Sequence, residues 1–178
     1  MRPVRGGGEG DGGRLNKAKL ALIGLIPGLF ALDWVTKRWI EQNVSFWDTH
    51  VVIPGFFSIV HAQNRGAAFS ILADAPDAVR ALVLIGLSGI VTLVVAWMFR
   101  SSLVKPGTYS KAGQLALALV LGGALGNLYD RILRGSVTDF LLVYWRDWQW
   151  PAFNVADSAI SVGAVLLLID LWRQKETA

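Results

Sequence analysis

Apolar residues run through this chain in four long blocks, separated by segments rich in polar, aromatic and glycine residues. The blocks extend from about Leu20 to Ile40, Ala78 to Phe99, Gly113 to Tyr129 and Val155 to Trp172. A helix rising about 1.5 Å per residue needs roughly 20 such residues to cross a hydrocarbon core. The first two blocks reach that length; the other two are shorter and polar at their ends, and are also read as spans. The pattern predicts an all-α membrane protein of four transmembrane helices with a small extracytoplasmic β-region. Two of the connections are too long and too apolar to be plain linkers. A β-region is expected near residues 44–72, because Val51 to Phe57 (VVIPGFF) sets β-branched and aromatic residues around a Pro-Gly turn signal and Ser58 to Ser70 continues in that character. The connection over 130–154 gathers Tyr144, Trp145, Trp148, Trp150 and Phe153, the belt composition of a bilayer interface, and is expected at the outer membrane surface.

Composition agrees with a lipid solvent. Of 178 residues, 53% are hydrophobic and 17% charged, with a mean hydropathy of +0.46; a soluble domain of this size would leave much of that apolar surface in water. Disorder and fibrous repeats are excluded on the same ground. The absence of cysteine rules out a disulfide framework, a thiolate nucleophile and Cys-based metal sites.

The net charge of +4 does not point to nucleic acid, because the basic residues flank apolar blocks instead of forming a face. Arg2, Arg5, Arg14, Lys17 and Lys19 precede the first span, Arg100, Lys105 and Lys111 join the second and third, and Arg173 and Lys175 follow the fourth. The connections 41–77 and 130–154 instead accompany Arg65, Arg131, Arg134 and Arg146 with acids such as Glu41, Asp48, Asp74, Asp77 and Asp147. The positive-inside bias therefore puts both termini in the cytoplasm. Lys37 and Arg38 run against it, at a span end where long side chains snorkel and Asp33 precedes Lys37 by one turn. With no small-x-small cleavage site after it, the first block is read as a retained helix. Residues 1–16, with the run Gly6 to Gly13, form an expected disordered cytoplasmic tail, 17–174 a single membrane domain, and 175–178 a second short tail.

Ionisable groups near a span are either paired or functional. Asp33 has Lys37 at i+4, Asp130 has Arg131 beside it and Arg134 at i+4, and Asp170 has Arg173 at i+3; these read as structural ion pairs. Asp139 and Asp157 have no basic residue at helical spacing. Two carboxylates in a poorly solvated site can share one proton and divide base and acid work between them, as in aspartic proteases. The competing readings are that both cap local structure, that they titrate in a proton-coupled transporter, or that the chain is a membrane scaffold. The transporter reading expects an internal inverted repeat, which the sequence does not display. His50 and His61 lack a zinc-ligand motif and are read as interfacial, so no metal and no cofactor is expected. Gly122, Gly123 and Gly126 lie in a run without a phosphate-loop Gly-Lys-Ser, and are read as close helix packing in lipid.

Four ordered segments carry a resemblance: Asn64-Arg-Gly-Ala-Ala-Phe-Ser70, Gly122-Gly-Ala-Leu-Gly-Asn-Leu-Tyr-Asp-Arg131, Gly135-Ser-Val-Thr-Asp-Phe140 and Phe153-Asn-Val-Ala-Asp-Ser158. Together with Asp33-Trp-Val-Thr-Lys37, they resemble bacterial lipoprotein signal peptidase, or signal peptidase II. The resemblance implies an intramembrane aspartyl endopeptidase of the bacterial inner membrane that cleaves diacylglyceryl-modified prolipoproteins before the lipidated cysteine. It needs no cofactor, nucleic acid or obligate protein partner beyond substrate and membrane lipids. It also implies a β-cradle and a mobile helix on the extracytoplasmic side, with the site near that face. The catalytic aspartates of the family fall on Asp139 and Asp157. Transferred residue by residue, Asn64, Gly123, Asn127, Arg131 and Asn154 shape or contact the substrate site, and Asp33 with Lys37 supports it. Arg65 departs from the family pattern, where a small polar residue such as Thr is expected.

Overall fold

The computed structural model describes residues 16–66, 76–105 and 107–176. Residues 1–15 and 177–178 of the expected tails, and the end of the Asn64 to Ser70 motif from Ala67 on, lie outside them; Lys175 and Glu176, expected in the C-terminal tail, instead continue the last helix. Four helices, α1 (Lys17–Asn43), α2 (Asp77–Val104), α3 (Lys111–Arg134) and α4 (Val155–Glu176), are joined by strands β1 (Thr49–Ile53), β2 (Phe57–Asn64), β3 (Val137–Trp145) and β4 (Trp148–Gln149). All four helices are long and apolar enough to cross a membrane. Every helix outruns the apolar block that predicted it, most informatively α3, which extends past Tyr129 through Asp130 and Arg131 to Arg134. Hydropathy alone would end a span before those residues. Here Asn127 and Asp130 are buried against protein, so they need no contact with lipid.

Helix α3 is the axis of the bundle. Half of its most apolar 18-residue window is buried, against 6% for α1, and it packs on α1, α2 and α4. Ser110 caps its start by accepting the backbone N–H groups of Ala112 and Gly113, and Gly135, at φ 70°, ends it in the left-handed conformation. Its glycines let the neighbouring backbones approach. A Cβ on Gly123 would strike the carbonyl oxygen of Ala156 and meet Ile160 Cγ1 at 2.9 Å, and one on Gly126 would lie 2.6 Å from Asp33 Oδ2. Helix α2 lies at the other extreme: Leu82, Leu93 and Trp97 are more than two-thirds exposed, a surface suited to hydrocarbon.

The strands form one antiparallel sheet in the order β1-β2-β3-β4. Its first two strands fall inside the expected β-region. The third was not assigned to a strand from sequence: residues 137–145, read only as lying at the outer surface, pair with β2, placing Asp139 opposite Ala62 and Val137 opposite Asn64. A register irregularity in β2 between Ile59 and Ala62 lies across from Asp139. Beyond β4 the chain returns to β3, where the carbonyl of Phe153 accepts from the N–H groups of both Phe140 and Leu141, at 2.9 and 2.8 Å. That return starts α4 beside Asp139.

His61 corrects the interfacial reading. It is 7% exposed, stacks on Phe46 with ring centroids 3.9 Å apart, and places Nδ1 2.7 Å from the carbonyl of Val44 just after α1. His50, on exposed β1, keeps a surface position. Asp170 accepts from Gln174 Nε2 at 2.8 Å in the last turns of α4.

The packing predicts that Gly123→Ala lowers thermal stability by about 1–3 kcal/mol, since neither the Ala156 backbone nor α3 can yield freely. Gly86→Ala, where a Cβ meets nothing within 4 Å, should be near neutral. Thermal unfolding of both detergent-purified variants checks the contrast.

Candidate active site

The sheet end of the bundle gathers most of the buried polar groups among the described residues, and Asn154 stands at their centre. It is fully buried, and as N-cap of α4 its Oδ1 accepts the N–H of Asp157 at 2.9 Å while Asp157 Oδ2 accepts the N–H of Asn154 at 3.3 Å. This reciprocal capping fixes the Asn154 amide with its nitrogen pointing away from the helix. That nitrogen donates to Asp139 Oδ1 at 2.7 Å. Asp157 is therefore a capping residue, as one reading of the sequence held, and also one of two carboxylates held by the same asparagine. Asp139 caps nothing; it sits within β3 and is 3% exposed.

Asp139 is pushed up to about 6, first by burial and then by the negative charge of Asp157; hydrogen bonds from Asn64 and Asn154 and the positive charge of Lys37 act in the opposite direction. The two carboxylates thus interact electrostatically across Asn154.

Behind them lies a second layer. Lys37, 1% exposed, places its ammonium 2.6 Å from Asp33 Oδ2 and 2.8 Å from Asp130 Oδ2, and donates to Asn127 Oδ1 at 3.0 Å. Two carboxylates and one amide oxygen, from two helices, thus surround the ammonium. Asp130 is thus a partner of Lys37, with Arg134, the partner expected from spacing, at 3.7 Å. Asp33 spends its other oxygen on the N–H of Ala156, at 2.9 Å, in the first turn of α4. Asn127 passes its amide nitrogen to Asp157 Oδ1 at 2.7 Å. Glu41 closes the edge of this layer, accepting from Arg134, from Arg38 at 3.2 Å and from Thr138 Oγ1 at 2.7 Å, beside Asp139.

An open cavity of about 720 Å³ adjoins Asp157. Asn64, Arg131, Ser158 and Ser161 give it polar edges, and Val143, Trp148, Trp150, Phe153 and Val162 an apolar wall. Arg131 Nη1 donates to the Asn127 carbonyl at 3.3 Å. Of the residues singled out from sequence, Asn64, Arg131 and Asp157 line this cavity, and Asn127, Asn154 and Asp139 are linked to Asp157 by hydrogen bonds or charge. Asp33 and Lys37 stand one layer back, and Gly123 contributes by packing under α4. Arg65 follows Asn64 with its side chain exposed. Sequence reasoning overlooked Asp130 and Glu41 as members of the network, because Lys37 for Asp130 and Arg134 for Glu41 each lie 93 positions away along the chain. The cavity's tryptophans were seen only as interfacial.

Four helices with buried carboxylates at one end, beneath a small sheet, make this a multi-pass membrane protein, and its fold is found in bacterial membrane enzymes. One such structure, determined by the in meso method at 2.3 Å resolution, superposes with a TM-score of 0.72 and 30% identity, covering 88% of this chain and 90% of that one. The sequence model of signal peptidase (SPase) II matches residues 25–173. A lipoprotein signal peptidase of Solibacter usitatus is 50% identical over 87% of this chain and 92% of its own length. One from Pseudomonas aeruginosa is 47% identical over 84% and 86%. The chain belongs to the signal peptidase II family, the proteases that remove signal peptides from prolipoproteins.

The position of Asp139 carries a stability consequence. A carboxyl that ionises near pH 6 when folded and near 3.8 when unfolded binds more protons in the native state between those values, so its contribution to stability falls as pH rises from about 4 to 6. Asp139→Asn should remove that slope and raise thermal stability at pH 7 to 8 by on the order of 1–3 kcal/mol. Thermal melts of both proteins across pH 4 to 8 measure the difference.

Proposed function

We propose that Asp139 and Asp157 are the catalytic pair, and that the substrate is a diacylglyceryl-modified prolipoprotein cut immediately before its lipidated cysteine. The observation that carries this reading is that one fully buried asparagine, Asn154, hydrogen-bonds both carboxylates. Burial and the neighbouring charge favour keeping the shared proton on Asp139. Asp157 accepts from Asn127 and from the N–H of Asn154 in the first turn of α4, a setting that suits negative charge. In this arrangement Asp157 takes a proton from a water molecule as the water attacks the scissile carbonyl, and Asp139 donates a hydrogen bond to the developing oxyanion. The proton held by Asp157 then passes to the leaving amine.

The remaining residues take graded roles. Asn64 and Asn154 orient Asp139; Asn127 orients Asp157. The Arg131 guanidinium faces the cavity, where it meets substrate backbone. Asp33 and Lys37 fix the first turn of α4 against α1 and α3, and Gly123 lets α4 come close. The apolar wall and the exposed lipid-facing helices suit a substrate that arrives laterally with its acyl chains in the bilayer. Basic residues at the end of the bundle opposite the sheet support cytoplasmic termini, an inner-membrane location and a site at the extracytoplasmic face.

Asp139→Asn and Asp157→Asn should each lower cleavage of a purified diacylglyceryl-modified prolipoprotein by roughly 10³-fold or more while the protein still folds and inserts. Near-normal turnover by either would reject the pair. Independently, tags at residues 1 and 178 should be shielded from outside reagents in intact spheroplasts, and a cysteine introduced at exposed Trp47 should be labelled. A labelled terminus would overturn the topology.

A further inference from the structure

Lys37 touches neither member of the pair, yet one side chain separates it from Asp157. An ammonium donates hydrogen bonds and accepts none, so it can face only the oxygen of an amide. At Asn127 that requirement fixes the ring-less amide in one sense: Oδ1 lies 3.0 Å from Lys37 Nζ, and Nδ2 is left to donate to Asp157 Oδ1 at 2.7 Å. The second contact to Oδ1, from Asn154 Nδ2 at 3.4 Å, is longer, and that nitrogen has a nearer acceptor in Asp139. Turned over, Asn127 would set an oxygen against a carboxylate and two kinds of donor against each other.

We propose that Lys37 is a positioning residue for catalysis, acting through Asn127 to keep a hydrogen-bond donor on the base Asp157; this rests on the catalytic pair proposed above. The cation itself is held by Asp33 from its own helix and by Asp130 from α3, so it stays in place without touching substrate. The charged groups around Asp157 are Arg131 on α3, Asp139 on β3 and, beyond Asn127, Lys37 with Asp33 and Asp130. Loss of the donor penalises the ionised pair, so the acid limb of the kcat/KM profile, which reports protonation of the free enzyme's dyad, should move to higher pH.

The test compares Asp33→Asn with Asp33→Asn/Lys37→Met, which differ in Lys37 alone, its ion pair with Asp130 and its charge near Asp139 included, and avoid leaving two carboxylates around an absent cation; the Asn127→Ala step below separates the relay from that charge. Activity toward the diacylglyceryl-modified prolipoprotein is followed from pH 4.5 to 9. Relative to the single variant, the double should lose at least about tenfold in kcat at pH 7 and shift its acid limb upward by about one unit. Adding Asn127→Ala should then change little, because the same connection is already broken. A double variant that melts earlier but keeps the profile of Asp33→Asn would overturn the proposal, as would a full additional loss from Asn127→Ala. Should the double variant fail to insert, Asn127→Ala in the otherwise unchanged protein decides: it removes the donor to Asp157 without bringing a new charge beside it. Retained thermal stability with an upward-shifted limb supports the relay, and an unshifted limb overturns it. None of these variants alters Asp139 or Asp157, so failure here is distinct from activity surviving in Asp139→Asn or Asp157→Asn, which would remove the pair itself.

Discussion

A single buried ammonium group organises the functional end of this protein. An isolated charge inside a membrane bundle is costly unless every one of its hydrogen-bonding positions is answered. Lys37 is answered by Asp33, Asp130 and Asn127, and each partner then does something further. Asp33 receives the N–H of Ala156 and so fixes where α4 begins. Asn127 turns its amide toward Asp157. Asp130, in the last turns of α3, explains why that helix extends past its apolar block. The demand for neutrality around one cation thereby becomes a demand on three helices, and the carboxylates at the cavity inherit their placement from it.

Close packing and the polar network depend on each other. Asp33 reaches past α3 to the start of α4 because Gly126 leaves room for its carboxylate, and Ala156 approaches because Gly123 has no side chain. In lipid, helix association gains little from burying apolar surface, since the tails are as apolar as leucine. Small residues and satisfied polar groups have to supply it. The bundle uses both at the same level, just beneath the sheet.

The sheet contributes geometry. Asp139 comes from β3 and Asp157 from α4, and they are brought together by the backbone hydrogen bonds of Phe153 to Phe140 and Leu141. Asn154 then converts that approach into a shared polar contact. The carboxyl of Asp139, buried in the sheet and facing a second negative charge, is held far from its ordinary range, while the cavity opens beside Asp157. Strands and helix ends offer fixed dipoles that lipid-facing helices lack, and the two carboxylates held by Asn154 lie where they meet.

Much of this was legible along the chain. Four apolar blocks determined four spanning helices, because a bilayer admits few alternatives to a continuous apolar helix. The absence of a local basic partner separated Asp139 and Asp157 from Asp33 and Asp170, and ordered motifs gave the family. A Pro-Gly turn between β-branched runs gave the β1-β2 hairpin. Local signals failed where a partner was distant. Residues 137–145 have the aromatics of an interfacial loop and became a strand only because β2 offered an edge. His61, read only as interfacial, is buried because Phe46 and the end of α1 fold over it. Asp130 was assigned to Arg134 by spacing, but the nearer charge is Lys37, 93 positions earlier. Hydropathy and helical spacing are properties of neighbours in sequence, so the sequence determines which segments cross the membrane and which carboxylates lack a local cation. Which distant groups satisfy a buried charge is decided only when the helices pack, because that choice depends on interatomic distances that no local pattern encodes.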